Sequence, residues 1–368
     1  MSFNLIKMMI ERMKKRIMVI RLICLVGIGL SGTLTISNAQ QKENTLKALE
    51  RHEDAVYILQ ENIQNPFIQL APDGFYYLTG TIPANLFSDK DPSVKFWRSK
   101  DLVEWETVGE VTYPKQSLFV KELKDAATKR NAKPEILSPK AFYIANRWVV
   151  VHTSNVLKMS NMMVSNSQDI KGDYTEPFGL DVGFQTDPAV FVDDDGAPWL
   201  LSFCTQVRRI KKDFSGFDGN HRLIGPKNRQ LGFEGTSMLK IGMKYVLFGT
   251  SWSTDIYGKG TYNLYYTTAD SILGPYSPRK FAARFVGNGI PFQDKNGRWW
   301  VTAFHKTDQS VVTIGELKGI DASDAAYTIN KPGLTLVPLD IEIMNDEVYV
   351  TAKDSRYRYP GKEEVQQF

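Results

Sequence analysis

The chain has 368 residues, 42% of them hydrophobic, 12% aromatic and 23% charged, with a formal net charge of +4 and two cysteines. That length suffices for a large buried core, the balanced charge and aromatic content exclude an intrinsically disordered chain, and two cysteines exclude a disulfide scaffold. The basic surplus belongs to the first 39 residues, where Lys7, Arg12, Lys14, Lys15, Arg16 and Arg21 stand against Glu11 alone.

An apolar run, Leu22 to Ile36, follows the basic stretch and ends in Ser37-Asn38-Ala39 before Gln40. This is the pattern of a cleaved secretory signal, here residues 1–39. The run is short of the ~20 apolar residues that a membrane span needs. Arg21-Leu22-Ile23 before Cys24 lacks the small residues of a lipoprotein site. Cleavage leaves 39 basic and 40 acidic residues, so the mature charge is −1, and Cys204 is the single remaining thiol. The expectation is a secreted or periplasmic protein, stabilised by packing rather than disulfides. Neither a membrane nor a nucleic-acid partner is expected once the signal is removed, and a monomer is expected.

Residues 40–55 read as a polar lead with a short helix through Arg51, and residues 56–368 as one domain. Short β-rich runs then recur, each introduced by a turn. They are Asp73-Gly74 before Phe75 to Thr79, Asn146-Arg147 before Trp148 to Val151, and Asp195-Gly196 before Ala197 to Leu201. Gly242-Met243 before Lys244 to Phe248 and Asn296-Gly297 before Arg298 to Thr302 complete the set. Such turns ahead of β-branched and aromatic residues are strong hairpin signals. The aromatic anchors Tyr76, Trp148, Trp199, Tyr245 and Trp299 stand 72, 51, 46 and 54 residues apart.

A second element follows most hairpins. It reads Ser99-Lys100-Asp101-Leu102 to Trp105, Ser167-Gln168-Asp169-Ile170 to Tyr174, Asp213 to Phe217, and Thr268-Ala269-Asp270-Ser271 to Tyr276. Its polar residues suit turns closed by side-chain to backbone hydrogen bonds, with the trailing aromatic covering the next sheet. A multi-stranded repeat near fifty residues, seen five times, predicts an all-β, five-bladed β-propeller. The Gly-His and Trp-Asp marks of WD repeats are absent. Leu334 to Thr351 is the candidate for closing the ring, and no Pro/Ser/Gly-rich linker divides the domain.

Inner strands of a propeller converge on a central channel, so the residues just ahead of the hairpins are the candidates for chemistry. Asn65-Pro66 precedes the first hairpin, Asp187-Pro188 the third and Glu234-Gly235 the fourth. Asp193, Asp194 and Asp195 read as a hairpin turn rather than a metal cluster, because neighbouring strand residues alternate faces and the calcium-loop spacing is not met. Arg208, Arg209, Lys211 and Lys212 read as a solvated outer face. His152, His221 and His305 make no zinc spacing. Trp252 and Tyr257 suit either sugar stacking or packing.

With these residues in order, the chain resembles glycoside hydrolase family 43, five-bladed propellers that act on polysaccharides. The resemblance runs from about Asn65 to His305. It rests on Asp187-Pro188 with Phe191 to Gly196, Phe233-Glu234-Gly235, Trp97 to Trp105, and Gly287-Asn288-Gly289 before Asp294 to Trp300. It implies a carbohydrate substrate of arabinoside, xyloside or galactoside type, hydrolysed with inversion. Glu234 is then the general acid and Asp187 the carboxylate that tunes it, since a neighbouring negative charge favours a protonated acid. Phe233, Trp252, Asn288 and His305 are implied to contact substrate. The pattern has Asp as general base where this chain has Asn65, and an amide cannot take a proton from water. Asn288 stands where many members carry His facing a central ion or water. No metal ligands are assigned, and a structural calcium in the channel stays an open expectation. The competing readings are a sugar-binding propeller without catalysis and a protein-interaction propeller with an apolar, closed mouth.

Overall fold

The structure, a computed structural model, describes residues 39–83, 92–183, 186–366 and 368. The expected signal segment lies outside them, apart from Ala39. The chain divides into two units, Met1–Glu50 and Arg51–Phe368. The described part of the first is helical, in a helix that runs through residues 39–51. It carries a one-turn pair, Lys47 with Glu43, which as an exposed pair supports it only weakly.

In the second unit the five hairpins become the first two strands of five antiparallel blades. After β1 (Val56–Leu59), blade I holds β2 (Gln64–Leu70), β3 (Tyr76–Thr81), β4 (Val94–Ser99) and β5 (Glu106–Val111). A helix, Leu118–Arg130, leads into blade II, with β6 (Ile136–Ile144), β7 (Arg147–Ser154), β8 (Asn161–Ser165) and β9 (Tyr174–Thr175). Blade III is β10 (Ala189–Val192), β11 (Pro198–Ser202), β12 (Gln206–Arg209) and β13 (Arg222–Leu223). Blade IV is β14 (Glu234–Ile241), β15 (Lys244–Trp252), β16 (Tyr262–Ala269) and β17 (Lys280–Ala283). Blade V begins with β18 (Pro291–Gln293) and β19 (Trp299–Phe304). The short parallel pair β20 (Ser310–Val311) and β21 (Tyr327–Thr328) intervenes before β22 (Leu334–Met344) and β23 (Glu347–Ala352).

Every first hairpin turns on a left-handed residue: Gly74, Asn146, Gly196, Gly242 and Gly297 all have positive φ. Each aromatic anchor then lies in the first two residues of its blade's second strand. The second element joins the third and fourth strands. Asp101 Oδ1 accepts from the Val103 and Glu104 amides, Asp169 Oδ1 from Lys171, and Asp213 Oδ1 from Ser215. The polar tip of the trailing aromatic also bonds back to its own turn. Trp105 Nε1 donates to the Leu102 carbonyl, Tyr174 to Ile170 and Tyr276 to Ile272.

Ring closure also departs from the sequence reading. Leu334 to Thr351 forms β22 and most of β23, but β1 joins the N-terminal edge of the second unit to them. Val56 pairs with Leu336 and Leu59 with Leu334, on the edge of β22 away from β19. The core lies in slabs between neighbouring blades. Tyr77 meets Trp148 edge-on at 4.7 Å between blades I and II, and Phe191 meets Tyr245 at 6.0 Å between blades III and IV. Burying each such ring contributes about 1.5–3 kcal/mol, alongside the aliphatic side chains of the same slabs.

Candidate functional site at the propeller axis

Four of the five blades open their first strand on a left-handed residue just ahead of or within it. Asn65 has φ +50°, Ser138 +49°, Asp187 +51° and Gly235 +70°. In blade V, Gly287 at +66° stands a few residues before β18. Strand pairing skips at the same places, between Gln64 and Phe67, Leu137 and Lys140, and Glu234 and Ser237. Bulges of this kind re-aim side chains, and left-handed non-glycine residues concentrate where function holds them. Gly235 is constrained twice. Its φ suits glycine, and a Cβ there would lie 2.7 Å from Thr250 Cγ2 and 3.2 Å from Asn288 Oδ1.

Asp187 is buried and fully engaged. Its Oδ1 accepts from Lys140 Nζ at 2.8 Å and its Oδ2 from the Thr236 amide at 2.6 Å. Lys140 Nζ also donates to the Thr236 carbonyl at 3.1 Å. The two charged side chains are 3% and 2% exposed. Beneath them Cys204 donates its thiol toward the Glu234 carbonyl at 3.1 Å. Burial, then the charge of Asp187, pushes that thiol up to about 12, so it is inert as a nucleophile.

Glu234 is the open carboxylate of the group, with a side chain 35% exposed. Its Oε2 accepts from the Tyr262 hydroxyl at 3.1 Å and pairs with Lys306 Nζ at 3.4 Å. Burial, reinforced by Glu234, lifts the Tyr262 phenol well above its ordinary value, which leaves it a donor at working pH. Burial works against the Lys306 ammonium, but Glu234 and Asp308 outweigh it and hold Lys306 above the usual lysine value.

Asn65 and Asn288 converge on one hydroxyl. Asn65 Nδ2 donates to Ser138 Oγ at 2.8 Å and to Thr81 Oγ1 at 3.4 Å, and Asn288 Nδ2 reaches Ser138 Oγ at 3.4 Å. Both amide oxygens are buried without a protein partner. His305 Nε2 contacts the Gln309 carbonyl at 3.0 Å, and Phe233 is exposed. Trp252 packs rather than offering a stacking face. It is 2% exposed and lies 4.6 Å from the Tyr262 ring, whereas Tyr257 beside it is 77% exposed.

The turn at Asp193 to Asp195 is a hairpin tip, with Asp195 paired to Arg209, and Arg208 lies over the Phe217 ring. Asp187 has both oxygens engaged and carries its own ammonium, whereas the Asn65 and Asn288 amide oxygens have no protein partner. Among the described residues no group of three or more His, Cys, Asp or Glu side chains converges for a metal.

The sequence reading brings Asn65, Asp187, Glu234 and Asn288 to the starts of the inner strands, as observed, but it misses Lys140, Tyr262 and Lys306. Lys140 had a signal. Ser138-Pro139 repeats in blade II the X-Pro step of Asn65-Pro66 and Asp187-Pro188, and Lys140 follows it. Tyr262 and Lys306 reach Glu234 from other strands and loops, and no local pattern marks them.

Residues 57–281, more than half the chain, match the family described as Glycosyl hydrolases family 43. Xylosidase/arabinosidase 43B of Humicola insolens is 23% identical over 235 residues, covering 59% of this chain and 40% of that protein. A crystallised mutant of BlXynB, a GH43 protein from Bacillus licheniformis, superposes with a TM-score of 0.59 at 18% identity, over 84% of this chain and 59% of its own. An endo-1,4-beta-xylanase from Bacteroides thetaiotaomicron gives 0.52 at 16% identity, over 80% and 94%. An endo-arabinase from the same organism gives 0.51 at 17% identity, over 69% and 94%. The chain thus spans about two fifths of the curated relative, and the structural likenesses establish the propeller fold.

Proposed function

The chain belongs to glycosyl hydrolases family 43, and on that premise we propose that it hydrolyses O-glycosidic bonds of xylose- or arabinose-type oligo- and polysaccharides, with Glu234 as proton donor. The observation that carries this is Glu234 itself, half-open at the axis and held from two sides by Tyr262 and Lys306. A positioned, partly exposed acid suits protonation of a leaving glycosidic oxygen. The xylosidase/arabinosidase among the relatives supports pentosides as the substrate class. Asp187 is the companion carboxylate, although it meets Lys140 rather than open space. In an inverting reaction water attacks from the face opposite the acid, and the residue that takes the base's place in the family pattern is here the amide Asn65.

The test is turnover of aryl xylosides, aryl arabinosides and the corresponding oligosaccharides. Glu234→Gln lowers kcat/KM about 10²–10⁴-fold if Glu234 is the acid. Undiminished hydrolysis by that variant removes the assignment. Export is part of the same proposal, supported by the signal-like start. The exported protein then begins at Gln40 by N-terminal sequencing, and an intact Met1 terminus speaks against export. A second reading, sugar binding without turnover, is favoured by Asn65. It predicts saturable binding by calorimetry with no product.

A further inference from the structure

We infer that Lys140 is a positioning residue of the axial site: its buried ammonium holds the Asp187 carboxylate against the channel wall and offsets its charge, so that Glu234 works without a bare carboxylate beside it. The inference rests on the reading of Glu234 as the proton donor. A lysine is almost never fully buried without a partner, and Lys140 spends two donors on Asp187 Oδ1 and the Thr236 carbonyl. Asp187 Oδ2 accepts from the amide of that same Thr236. One closed set of hydrogen bonds therefore ties the first strands of blades II and IV to the residue that opens blade III. A buried charge left alone is strongly unfavourable, so each member of the pair holds the other in place.

The consequence for Glu234 is electrostatic. A carboxylate near an acid favours the protonated acid, and an ammonium there favours the ionised one. With Lys140 in contact, the charge that Asp187 presents to its surroundings is offset in part. Cys204 is the titratable group that faces Asp187, Lys140 and Glu234 together. Those facing Glu234 are Tyr262 and Lys306, and Lys306 in turn faces Asp308 and Tyr257. Asp187 and Glu234 thus each have a lysine partner, Lys140 and Lys306, and Lys306 is shared with Asp308. In this arrangement Lys306, rather than Asp187, is the charge that Glu234 meets.

The test compares wild type, Lys140→Met, Asp187→Asn and the double variant by kcat/KM–pH profile and thermal melt. In Lys140→Met the bare Asp187 moves the alkaline limb up by about half a pH unit or more. In Asp187→Asn the bare ammonium moves it down, and the double variant returns it toward wild type. Both single variants melt several degrees lower, and the double melts above the lower of the two. Profiles that coincide across folded variants overturn the electrostatic role, and a double no more stable than its worse single overturns the clamp. Should Lys140→Met not fold, the double variant and Asp187→Asn still decide both points. If wild type hydrolyses no substrate, the function proposed above fails while the melts still judge the Lys140–Asp187 clamp.

Discussion

On the proposed reading position 65 takes the place of the general base, and replacing Asn65 by Asp supplies a carboxylate there in surroundings suited to receive it. The residue sits in the left-handed region at φ +50°, which Asp tolerates about as well as Asn. Asn65 Nδ2 now donates to the hydroxyls of Ser138 and Thr81. Each hydroxyl can rotate to donate instead, so a carboxylate finds one or two hydrogen bonds where the amide oxygen now has none in the protein. Those bonds, each about 1.5–3 kcal/mol to a charged acceptor, offset much of the cost of burying it. The fold should therefore survive. A positioned base contributes about 10²–10⁴-fold, or roughly 3–5 kcal/mol of barrier. Asn65→Asp should raise kcat/KM on aryl xylosides or arabinosides by at least about 100-fold. A variant that melts like wild type and shows no gain refutes the placement of the base at position 65.

Two further predictions follow from the same geometry. Tyr262→Phe removes the hydroxyl 3.1 Å from Glu234 but keeps the ring against Trp252, so kcat/KM should fall about 10- to 100-fold with little change in melting. A variant with wild-type rates shows that the hydroxyl does not hold the acid. His152 is buried against Tyr113 and Phe119, and burial depresses its pKa to about 4. An unfolded histidine titrates near 6.5, so the unfolded chain binds the extra proton first. The stability from neutral His152 is complete above about pH 6.5 and is lost as pH falls toward about 4, at most about 3 kcal/mol. Urea melts of wild type and His152→Gln at pH 7 and pH 4.5 should show the steeper acid loss in wild type, and parallel losses refute it.

The aromatic anchors were legible because hairpin signals act within a few residues. A glycine or asparagine supplies the left-handed turn, and the next aromatic enters the second strand in every blade. The positions of Asn65, Asp187 and Glu234 were legible for the same reason, since each lies a fixed step before such a hairpin. Lys140 is less legible because blade II carries a base after its X-Pro step, whereas blades III and IV open on acids. At Trp252 the sequence allows packing or stacking, and the Tyr262 ring against it decides for packing.

What the sequence by itself determined is therefore the local and repeated part: five hairpins, the turns between outer strands, and the residues that open the inner strands. The tertiary structure alone decided which of those residues meet. Lys140 pairs with Asp187 across 47 residues, Lys306 with Glu234 across 72, and β1 joins β22 across nearly the whole domain. Turn chemistry and strand alternation are written in neighbouring residues. The partner of a buried charge is set by which blades come together at the axis, and no local pattern carries that information.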